Sequence, residues 1–283
     1  MKIKTGKNAR QLLMESRYII FSDLDGTLLD HDTYAYTETL EALRLIKDQK
    51  IPLILCSSKT RLEIEWYRKR LGLQDPFISE NGAAIFIGKE MVAVHDVPFV
   101  THGSYKVIEL GTPYQSIKKS FAGIKTETGL NLFGFSEMSV AQVAEFTGLS
   151  PDMAALAHAR DYSEPFLFME EENRVAVLEE AVHKRGLKIT RGGRFYHLIG
   201  DSDKGEAVRI LKKLYNKAGS PTISIGLGDS LNDVPMLENV DVPVLVKKKN
   251  GRYESCPRLK KMVFAPGIGP KGWNRAVLDI LTA

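Results

Sequence analysis

Two carboxylates, Asp23 and Asp25, stand one residue apart in the sequence Asp-Leu-Asp-Gly-Thr. They directly follow an apolar run at residues 18–22 that is typical of a buried strand. Carboxylates this close repel each other unless a cation or a shared proton relieves their charge. Gly26 allows a sharp turn after the strand. The pattern indicates a cation site at a strand end, with a carboxylate nucleophile in it.

Polar groups follow two other predicted strands. Ser57 follows the apolar run at 51–56, and Asp229 with Asn232 and Asp233 follows the run at 221–227. The carboxyl ends of parallel strands line one crevice in a doubly wound sheet, so groups far apart in sequence converge there. Lys204, at the start of a predicted helix just before the last of these strands, reaches the same crevice.

These residue types favour phosphoryl transfer. Mg²⁺ prefers oxygen ligands, and ammonium and hydroxyl donors suit phosphoryl oxygens. A carboxylate can accept a phosphoryl group covalently. Taken singly, Lys204 reads as an exposed helix-start lysine, Ser57 as a helix cap and Asp229 as a turn residue. Their joint occurrence favours the phosphoryl-transfer interpretation.

The elements that must position these groups alternate along the chain. Helical periodicity at 36–49 and 61–71 separates apolar runs at 51–56, 77–79 and 83–87, which predicts a doubly wound parallel sheet of α/β class. The same rhythm returns in the last part of the chain, where we predict helices at 205–216 and 273–281 and strands at 221–227 and 242–246.

Between these parts the pattern changes to that of an inserted α+β domain with a mostly antiparallel sheet. We predict short strands at 92–94, 166–169, 188–190 and 195–199, and helices at 114–125, 139–147, 150–159 and 173–185. The predicted domains are therefore a first core part at 1–87, an inserted cap at 88–200 and a second core part at 201–283. Residues 1–17 are expected to be a flexible extension.

Composition is that of an ordinary globular enzyme. Of the 283 residues, 43% are hydrophobic and 26% charged, and 39 Lys and Arg against 35 Asp and Glu give a mild net charge of +4. No apolar run approaches the roughly 18 residues of a membrane span. Cys56 and Cys256 do not suggest a disulfide framework or a zinc site. We expect a cytoplasmic protein with a small-molecule partner, and neither nucleic acid nor membrane.

The four strand-end motifs resemble those of the haloacid dehalogenase-like phosphatase superfamily. The match covers the Asp-Leu-Asp-Gly-Thr segment beginning at Asp23, then Ser57, Lys204 and the Gly-Asp-Ser-Leu-Asn-Asp segment that contains Asp229. The insert between the second and third motifs is similar to the large C2-type cap of Cof-like members, of the C2B kind. The resemblance implies a Rossmann-like core, Mg²⁺ and phosphatase activity.

Residue roles follow from that resemblance. Asp23 would attack phosphorus to form an aspartyl-phosphate, and Asp25 would act as the acid and base. Mg²⁺ would be held by Asp23, the backbone carbonyl of Asp25, and Asp229. Ser57 and Lys204 would donate to the phosphoryl oxygens. Asn232 and Asp233, at the end of the fourth motif, would orient Lys204 and the water molecules bound to the metal.

Further sequences resemble the mannosyl-3-phosphoglycerate phosphatase family. They are Leu-Cys-Ser-Ser-Lys-Thr ending at Thr60, Glu-Asn-Gly-Ala from Glu80, and the polar clusters at 160–166 and 191–197. Ser58-Lys59-Thr60 replaces the Gly-Arg pair that most Cof-like relatives carry. The resemblance implies that the substrate is mannosyl-3-phosphoglycerate, with the glucosyl analogue as an alternative that differs at one epimeric centre.

The candidate substrate contacts lie in these segments. The core supplies Ser58, Lys59, Glu80 and Asn81, and the cap supplies Ser163, Glu164, Arg191 and Arg194. A guanidinium binds a carboxylate bidentately, so Arg191 or Arg194 is the candidate for the glycerate carboxylate. Glu164 and Asn81 would bind sugar hydroxyls. A hairpin turn with solvated arginines is the alternative interpretation of Arg-Gly-Gly-Arg.

Two other functions stay open at this point. One is a phosphosugar mutase of the same superfamily, such as a phosphomannomutase, and the other is a non-catalytic regulator that binds a metal or phosphate. A mutase returns phosphate to sugar and is stimulated by a bisphosphate. A regulator has no need for an acid and base such as Asp25.

Overall fold

The computed structural model describes residues 18–89, 97–192, 195–216, 222–256, 259 and 261–283. The predicted extension at 1–17 and the predicted strand at 92–94 lie outside these residues. The strands are β1 (Tyr18–Ser22), β2 (Leu53–Cys56), β3 (Phe77–Ser79), β4 (Ala84–Gly88), β5 (Val100–His102), β6 (Tyr105–Glu109), β7 (Leu132–Gly134), β8 (Ser163–Phe168), β9 (Lys188–Gly192), β10 (Phe195–Ile199), β11 (Ile223–Gly228), β12 (Val242–Lys247) and β13 (Val263–Ile268).

Helices connect most of these strands. They are α1 (Leu40–Asp48), α2 (Arg61–Leu71), α3 (Tyr114–Thr128), α4 (Val140–Thr147), α5 (Pro151–His158), α6 (Val175–His183), α7 (Lys204–Asn216), α8 (Val234–Glu238) and α9 (Gly269–Leu281). Short turns of 3₁₀ type cover Thr37–Thr39, Phe135–Glu137, Glu172–Arg174 and Leu231–Asp233.

The larger sheet has the strand order β13-β12-β11-β1-β2-β3-β4-β6-β5. The strands from β13 to β3 are parallel, whereas β4, β6 and β5 add to one edge in antiparallel pairs. Alternate residues of β1 point to opposite faces, so Ile20 joins one buried cluster and Ile19 and Phe21 join the other. Both faces of the larger sheet are therefore covered, which explains why its strands are continuously apolar in sequence. The parallel sheet confirms the predicted α/β class.

The smaller sheet has the order β7-β8-β10-β9 and is antiparallel throughout. Helices α3 and α6 cover it through a cluster that includes Ile117, Phe121, Leu178 and Val182. This sheet is the α+β insert that the sequence predicts. The larger sheet continues past residue 88 through β6 and β5, while the smaller sheet starts at β7; the three-part division at residues 88 and 200 stays a prediction.

Four strands were not predicted from the sequence. β5 and β7 have only three residues each, and all three residues of β5 are exposed, so neither shows a strand-length pattern. β6 lies in a stretch for which the sequence predicts no element, and β13 contains Pro266 at the sheet edge, where the missing N–H is tolerated. Among the described residues, no helix is both long enough and apolar enough to cross a bilayer.

Candidate active site

Three neighbouring strands carry the predicted motif residues at their carboxyl ends. β1 lies between β11 and β2, and Ser22 is in register with Leu227 on one side and Leu55 on the other. Asp23 follows β1, Ser57 follows β2 and Asp229 follows β11. The sheet topology therefore brings together groups that are far apart in sequence.

Lys204 joins two of the carboxylates. Its Nζ lies 2.7 Å from Oδ1 of Asp23 and 2.6 Å from Oδ1 of Asp233, and its side chain is fully buried. Burial opposes the charged form of this lysine, but the two carboxylates outweigh burial and raise its pKa above the ordinary value. Lys204 is thus a fixed cation beside the predicted nucleophile.

Asp233 shapes the loop that carries Asp229. Its Oδ2 accepts hydrogen bonds from the backbone N–H groups of Asp229 and Ser230, both at 3.0 Å. Gly228 leaves room for this arrangement, because a Cβ at that position would lie 2.4 Å from the Cβ of Asp233. Asp233 therefore uses one oxygen to hold Lys204 and the other to hold the loop.

The carboxylates of Asp23, Asp229 and Asp233 form a group that fits a hard divalent cation. Each offers one oxygen, and these oxygens all lie within 4.8 Å of one another. Burial, followed by the nearby Asp233 carboxylate, raises the pKa of Asp23 and raises that of Asp229 to about 7. A bound cation would relieve this repulsion. Because Asp233 already accepts from Lys204 and two N–H groups, Asp23 and Asp229 are the better ligands.

Gly26 allows the loop after β1 to approach Asp229 closely. Its φ is +74°, and a Cβ built on it would lie 2.9 Å from Oδ2 of Asp229. Any other residue would be strained there and would displace the carboxylate. On the other side of this loop, the C-terminal helix α9 supports β1, because Nε1 of Trp273 donates to Oγ of Ser22 at 2.9 Å.

Asp25 has a different partner from Asp23. Its Oδ2 lies 2.9 Å from Nζ of Lys59, and its side chain is 37% exposed, against 5% for the lysine. Lys59 also lies 3.4 Å from Oε1 of Glu63. Desolvation alone would lower the pKa of Lys59, but the Asp25 and Glu63 carboxylates raise it well above the ordinary value. The two adjacent motif carboxylates therefore each have their own lysine.

Ser57 and Ser58 lie where β2 gives way to α2. Ser57 is buried, and its Oγ accepts from the N–H of Lys59 at 3.2 Å. The helix cap is Thr60, whose side chain forms a capping box with Glu63, so Ser57 is not the cap. Ser58 lines the adjoining cavity. Next to Ser57, burial raises the pKa of the Cys56 thiol, which fits a core residue and not a nucleophile.

The segment Glu80–Gly82 has a left-handed backbone. The φ angles of Glu80, Asn81 and Gly82 are 46°, 60° and 97°. A Cβ on Gly82 would lie 2.1 Å from the carbonyl oxygen of Asp203, so only glycine lets this segment pack against the start of α7. Asn81 accepts from Nδ2 of Asn232 at 3.0 Å. The segment thus packs against the backbone just before Lys204 and binds the side chain of Asn232.

Glu80 connects the core to the cap. Its carboxylate accepts from the N–H of Asp161 at 2.9 Å, from the N–H of Tyr162 at 3.1 Å and from Oγ of Ser163 at 2.6 Å. Nε of Arg160 lies 3.3 Å away. Both oxygens of Glu80 are therefore engaged within the protein, and the structure places Glu80 and Ser163 in this contact, outside the cavity lining.

Two predicted cap contacts, Glu164 and Arg191, also lie away from the cavity. Glu164 accepts from the hydroxyl of Tyr114 at 2.6 Å and from the N–H and Oγ of Ser136, both at 2.7 Å. Arg191 is exposed, with its guanidinium 5.1 Å from the centre of the Tyr196 ring. Arg194 lies outside the described residues. Their assignment as substrate contacts stays a prediction, and these contacts do not support it for Glu164 and Arg191.

A cavity of about 450 Å³ lies between the core site and the cap. The core lining includes Asp23, Asp25, Ser58, Lys59, Asp229 and Asn232. The cap contributes residues that we did not predict, notably Arg160, Phe195 and His197, and the loop after β12 contributes Lys248. Gly192 packs against Asn232, where a Cβ would lie 3.3 Å from Nδ2. The cap is thus seated on the core.

The sequence carries a weak signal for two of these residues. Phe195 and His197 alternate along β10, so they share one face of the smaller sheet, and both line the cavity. Arg160 falls in a polar cluster that we singled out, but the sequence does not show that this arginine faces the core. Its Nη2 donates to the carbonyl oxygen of Ser58 at 2.8 Å.

His197 is held neutral in the folded protein. Its ring is buried, and its Nδ1 has no hydrogen-bond partner within the part of the chain that the structure describes. Burial, assisted by the charges of Arg160 and Lys204, lowers the pKa of His197 to about 3. The unfolded chain therefore binds a proton at this residue between about pH 6.5 and 3, while the folded protein does not.

His197→Gln is expected to reduce the sensitivity of the fold to acid. In the wild type, the depressed pKa of His197 makes stability fall as the pH drops below about 6.5, and this one group accounts for about 2 kcal/mol between pH 7 and 5. Urea unfolding at both pH values measures the difference. His102→Gln is the control, since His102 is exposed on β5. An unchanged pH dependence in His197→Gln would refute the assignment.

Known proteins are similar in sequence to this chain. The profile of the haloacid dehalogenase-like hydrolase family matches residues 20–255. A glucosyl-3-phosphoglycerate/mannosyl-3-phosphoglycerate phosphatase of Methanococcoides burtonii is 47% identical over 270 residues, covering 94% of this chain and 97% of that protein. A mannosyl-3-phosphoglycerate phosphatase of Pyrococcus horikoshii is 39% identical over 228 residues, covering 81% and 90%.

Solved structures share the fold. A crystal structure of a Thermoplasma acidophilum protein superposes with a TM-score of 0.66 and 17% identity, covering 95% of this chain and 100% of that one. A haloacid dehalogenase-like hydrolase from Bacteroides thetaiotaomicron gives 0.63 and 15%, covering 94% and 100%. The family match spans most of the chain and includes all four motifs, and the fold agrees with it. The chain belongs to the haloacid dehalogenase-like hydrolase family.

Proposed function

We propose that this protein is a Mg²⁺-dependent phosphatase that hydrolyses mannosyl-3-phosphoglycerate and its glucosyl analogue to the glycosylglycerate and phosphate. The observation that carries the reaction type is the buried grouping of Asp23, Lys204 and Asp229, in which Asp23 and Asp229 line the cavity and Lys204 lies 2.7 Å from Asp23. The substrate rests on the relatives that are 47% and 39% identical to this chain and named for these activities.

In the first half of the reaction, the Asp23 carboxylate attacks phosphorus. The phosphorus–oxygen ester bond breaks as the new bond to Asp23 forms, and the Asp25 carboxyl gives its proton to the departing alkoxide. Lys204, 2.7 Å from Asp23, neutralises charge on the phosphoryl oxygens. The glycosylglycerate leaves with the proton, and the phosphoryl group stays on Asp23.

In the second half, water hydrolyses the aspartyl-phosphate. Asp25, now a carboxylate, takes a proton from the water as it attacks phosphorus, and the bond to Asp23 breaks. Inorganic phosphate leaves, and both carboxyl groups return to their starting states. Asp25 suits both steps because its side chain is 37% exposed at the cavity, whereas Asp23 is buried.

The donor set fits Mg²⁺, which we assign to the carboxylates of Asp23 and Asp229 and the backbone carbonyl of Asp25. Bound there, the ion would neutralise negative charge around the transferring phosphoryl group. Thr27 and Ser230 hold the Asp229 carboxylate, with hydroxyls 3.5 and 3.0 Å from its Oδ1. These bonds fix one ligand before the ion arrives.

The cavity suits a substrate with two anionic groups. Its volume of about 450 Å³ lies in the range of small-molecule sites. Arg160 on the cap side and Lys248 on the core side are the cations that we assign to the glycerate carboxylate, since Arg191 lies outside the lining. We assign Asn232 and Ser58, which also line the cavity, to the sugar hydroxyls.

A phosphate-release panel tests the proposal. The purified protein is given mannosyl- and glucosyl-3-phosphoglycerate, 3-phosphoglycerate and simple hexose phosphates, with Mg²⁺ and with EDTA. The two glycosyl substrates are expected to have the highest kcat/KM, and EDTA is expected to abolish release of phosphate until Mg²⁺ is restored in excess.

Three outcomes would overturn parts of this proposal. Hexose phosphates cleaved faster than both glycosyl-phosphoglycerates would remove the substrate assignment and leave a phosphatase. Phosphate returned to sugar, with stimulation by a bisphosphate, would indicate a mutase. Full activity in EDTA would contradict the metal assignment.

A further inference from the structure

We propose that Lys59 is a positioning residue that holds the Asp25 carboxyl group in place for proton transfer to the leaving alkoxide. This inference rests on the proposed function, since it concerns the acid of the same reaction. Asp25 needs such a partner because its Oδ1 has no hydrogen-bond partner among the described residues. The contact of Oδ2 with Lys59, at 2.9 Å, is therefore what fixes the side chain.

The lysine is itself held firmly. Glu63 lies 3.4 Å from its Nζ, and the rings of Tyr34 and Tyr67 lie 4.9 and 5.7 Å from it. Glu63 is anchored in turn, because its Oε2 accepts from the N–H of Thr60 at 2.9 Å in the capping box of α2. Lys59 is therefore held in place through the capping box at the start of α2, whereas a lysine on the surface is usually flexible.

The cap closes over this part of the core. Thr60 donates to the carbonyl oxygen of Leu156 at 2.9 Å, and Arg160 donates to that of Ser58 at 2.8 Å. The hydroxyl of Tyr34 donates to the carbonyl oxygen of Thr147 at 3.2 Å. Three core–cap hydrogen bonds therefore surround Lys59. Lys59 is therefore enclosed by the core and the cap together, and the contact between the two helps to fix the position of Asp25.

Loss of a positioned acid can be distinguished from loss of substrate binding by comparing esters whose leaving groups differ in their need for a proton. An alkoxide leaving group needs a proton as it departs, whereas p-nitrophenolate departs without one. Loss of a correctly placed acid should therefore slow benzyl phosphate much more than p-nitrophenyl phosphate. Neither ester has a carboxylate or a sugar, so a role of Lys59 in binding those groups would not affect the comparison.

Lys59→Met is expected to lower kcat/KM for benzyl phosphate about 10- to 100-fold and for p-nitrophenyl phosphate less than about 3-fold. The two esters are compared in kcat/KM, because hydrolysis of the aspartyl-phosphate, in which Asp25 is the base, is common to both and can lower kcat for either. Lys59→Arg should recover part of the loss, because a guanidinium restores the contact with Asp25. Asp25→Asn gives the size of the full effect, and Lys184→Met, which removes the exposed pair with Glu180, is the matched control.

Equal losses on the two esters would overturn the inference and leave Lys59 with a structural or phosphate-binding role. Thermal unfolding of each variant checks that it is folded at the assay temperature. If Lys59→Met alone is unfolded, Lys59→Met/Glu63→Gln removes the uncompensated charge, and the same comparison applies. Absence of phosphate release from the glycosyl substrates by the wild type would instead count against the proposed function.

Discussion

Asp23→Asn is expected to lower kcat by about 10⁴-fold or more, because an amide cannot accept the phosphoryl group. The substitution keeps the size of the side chain. It also removes one of three carboxylates that lie within 4.8 Å of one another and repel each other. We therefore expect no loss of folding stability. The measurement is phosphate release from mannosyl-3-phosphoglycerate under saturating Mg²⁺.

Trapping separates a nucleophile from a metal ligand. With ³²P-labelled substrate and acid quenching, the wild type should carry label on the protein and Asp23→Asn should not. Mass spectrometry must show that deamidation has not regenerated the aspartate, since a trace of wild type would mask the loss. Labelled protein in Asp23→Asn, or activity within about tenfold of the wild type, would contradict the covalent route.

Lys204→Met should damage both activity and stability. Removal of the ammonium leaves the buried carboxylates of Asp23 and Asp233 without the cation that lies 2.7 and 2.6 Å from them. Breaking a buried ion pair in this way costs about 3–5 kcal/mol, and loss of one transition-state donor costs about 10²- to 10³-fold in kcat. Urea unfolding in EDTA measures the first effect, and phosphate release measures the second.

A second substitution distinguishes the two effects. Lys204→Met/Asp233→Asn removes one of the unpaired charges and should recover much of the lost stability without recovering activity. Lys212→Met on the same helix is the control, because its pair with Asp241, at 3.3 Å, is more exposed and should contribute less than about 1 kcal/mol. Recovery of activity in the double variant would show that Lys204 acts only through the fold.

The core of the site could be predicted from sequence because its residues are local to strand ends. The positions of Asp23, Ser57 and Asp229 follow from three apolar runs and from the rule that parallel strands end at one edge. Lys204 taken singly reads as an exposed lysine at the start of a helix, and only its occurrence together with the strand-end residues assigned it to the site. The structure brings Asp23, Lys204 and Asp229 together, and their roles in the reaction stay predictions.

The cap side could not be predicted, because partner choice there depends on tertiary contacts. Glu80 and Glu164 resemble substrate ligands in sequence, yet their oxygens are satisfied by backbone N–H and hydroxyl groups of the protein itself. Arg160 resembles a surface arginine, yet it is buried between core and cap. The pattern of polar and apolar residues in a single sequence does not indicate which polar residue a segment distant in sequence will contact.

The separation between Asp23 and Lys204 has a consequence for how the protein is made. The two residues are 181 positions apart, and β1 pairs with β11 as well as with the nearby β2. A ribosome adding about 5–20 residues per second needs roughly 10–40 s to cover that distance. During this interval one edge of an apolar strand has no partner in the nascent chain, and such edges are prone to aggregation. Slower translation would lengthen the exposure.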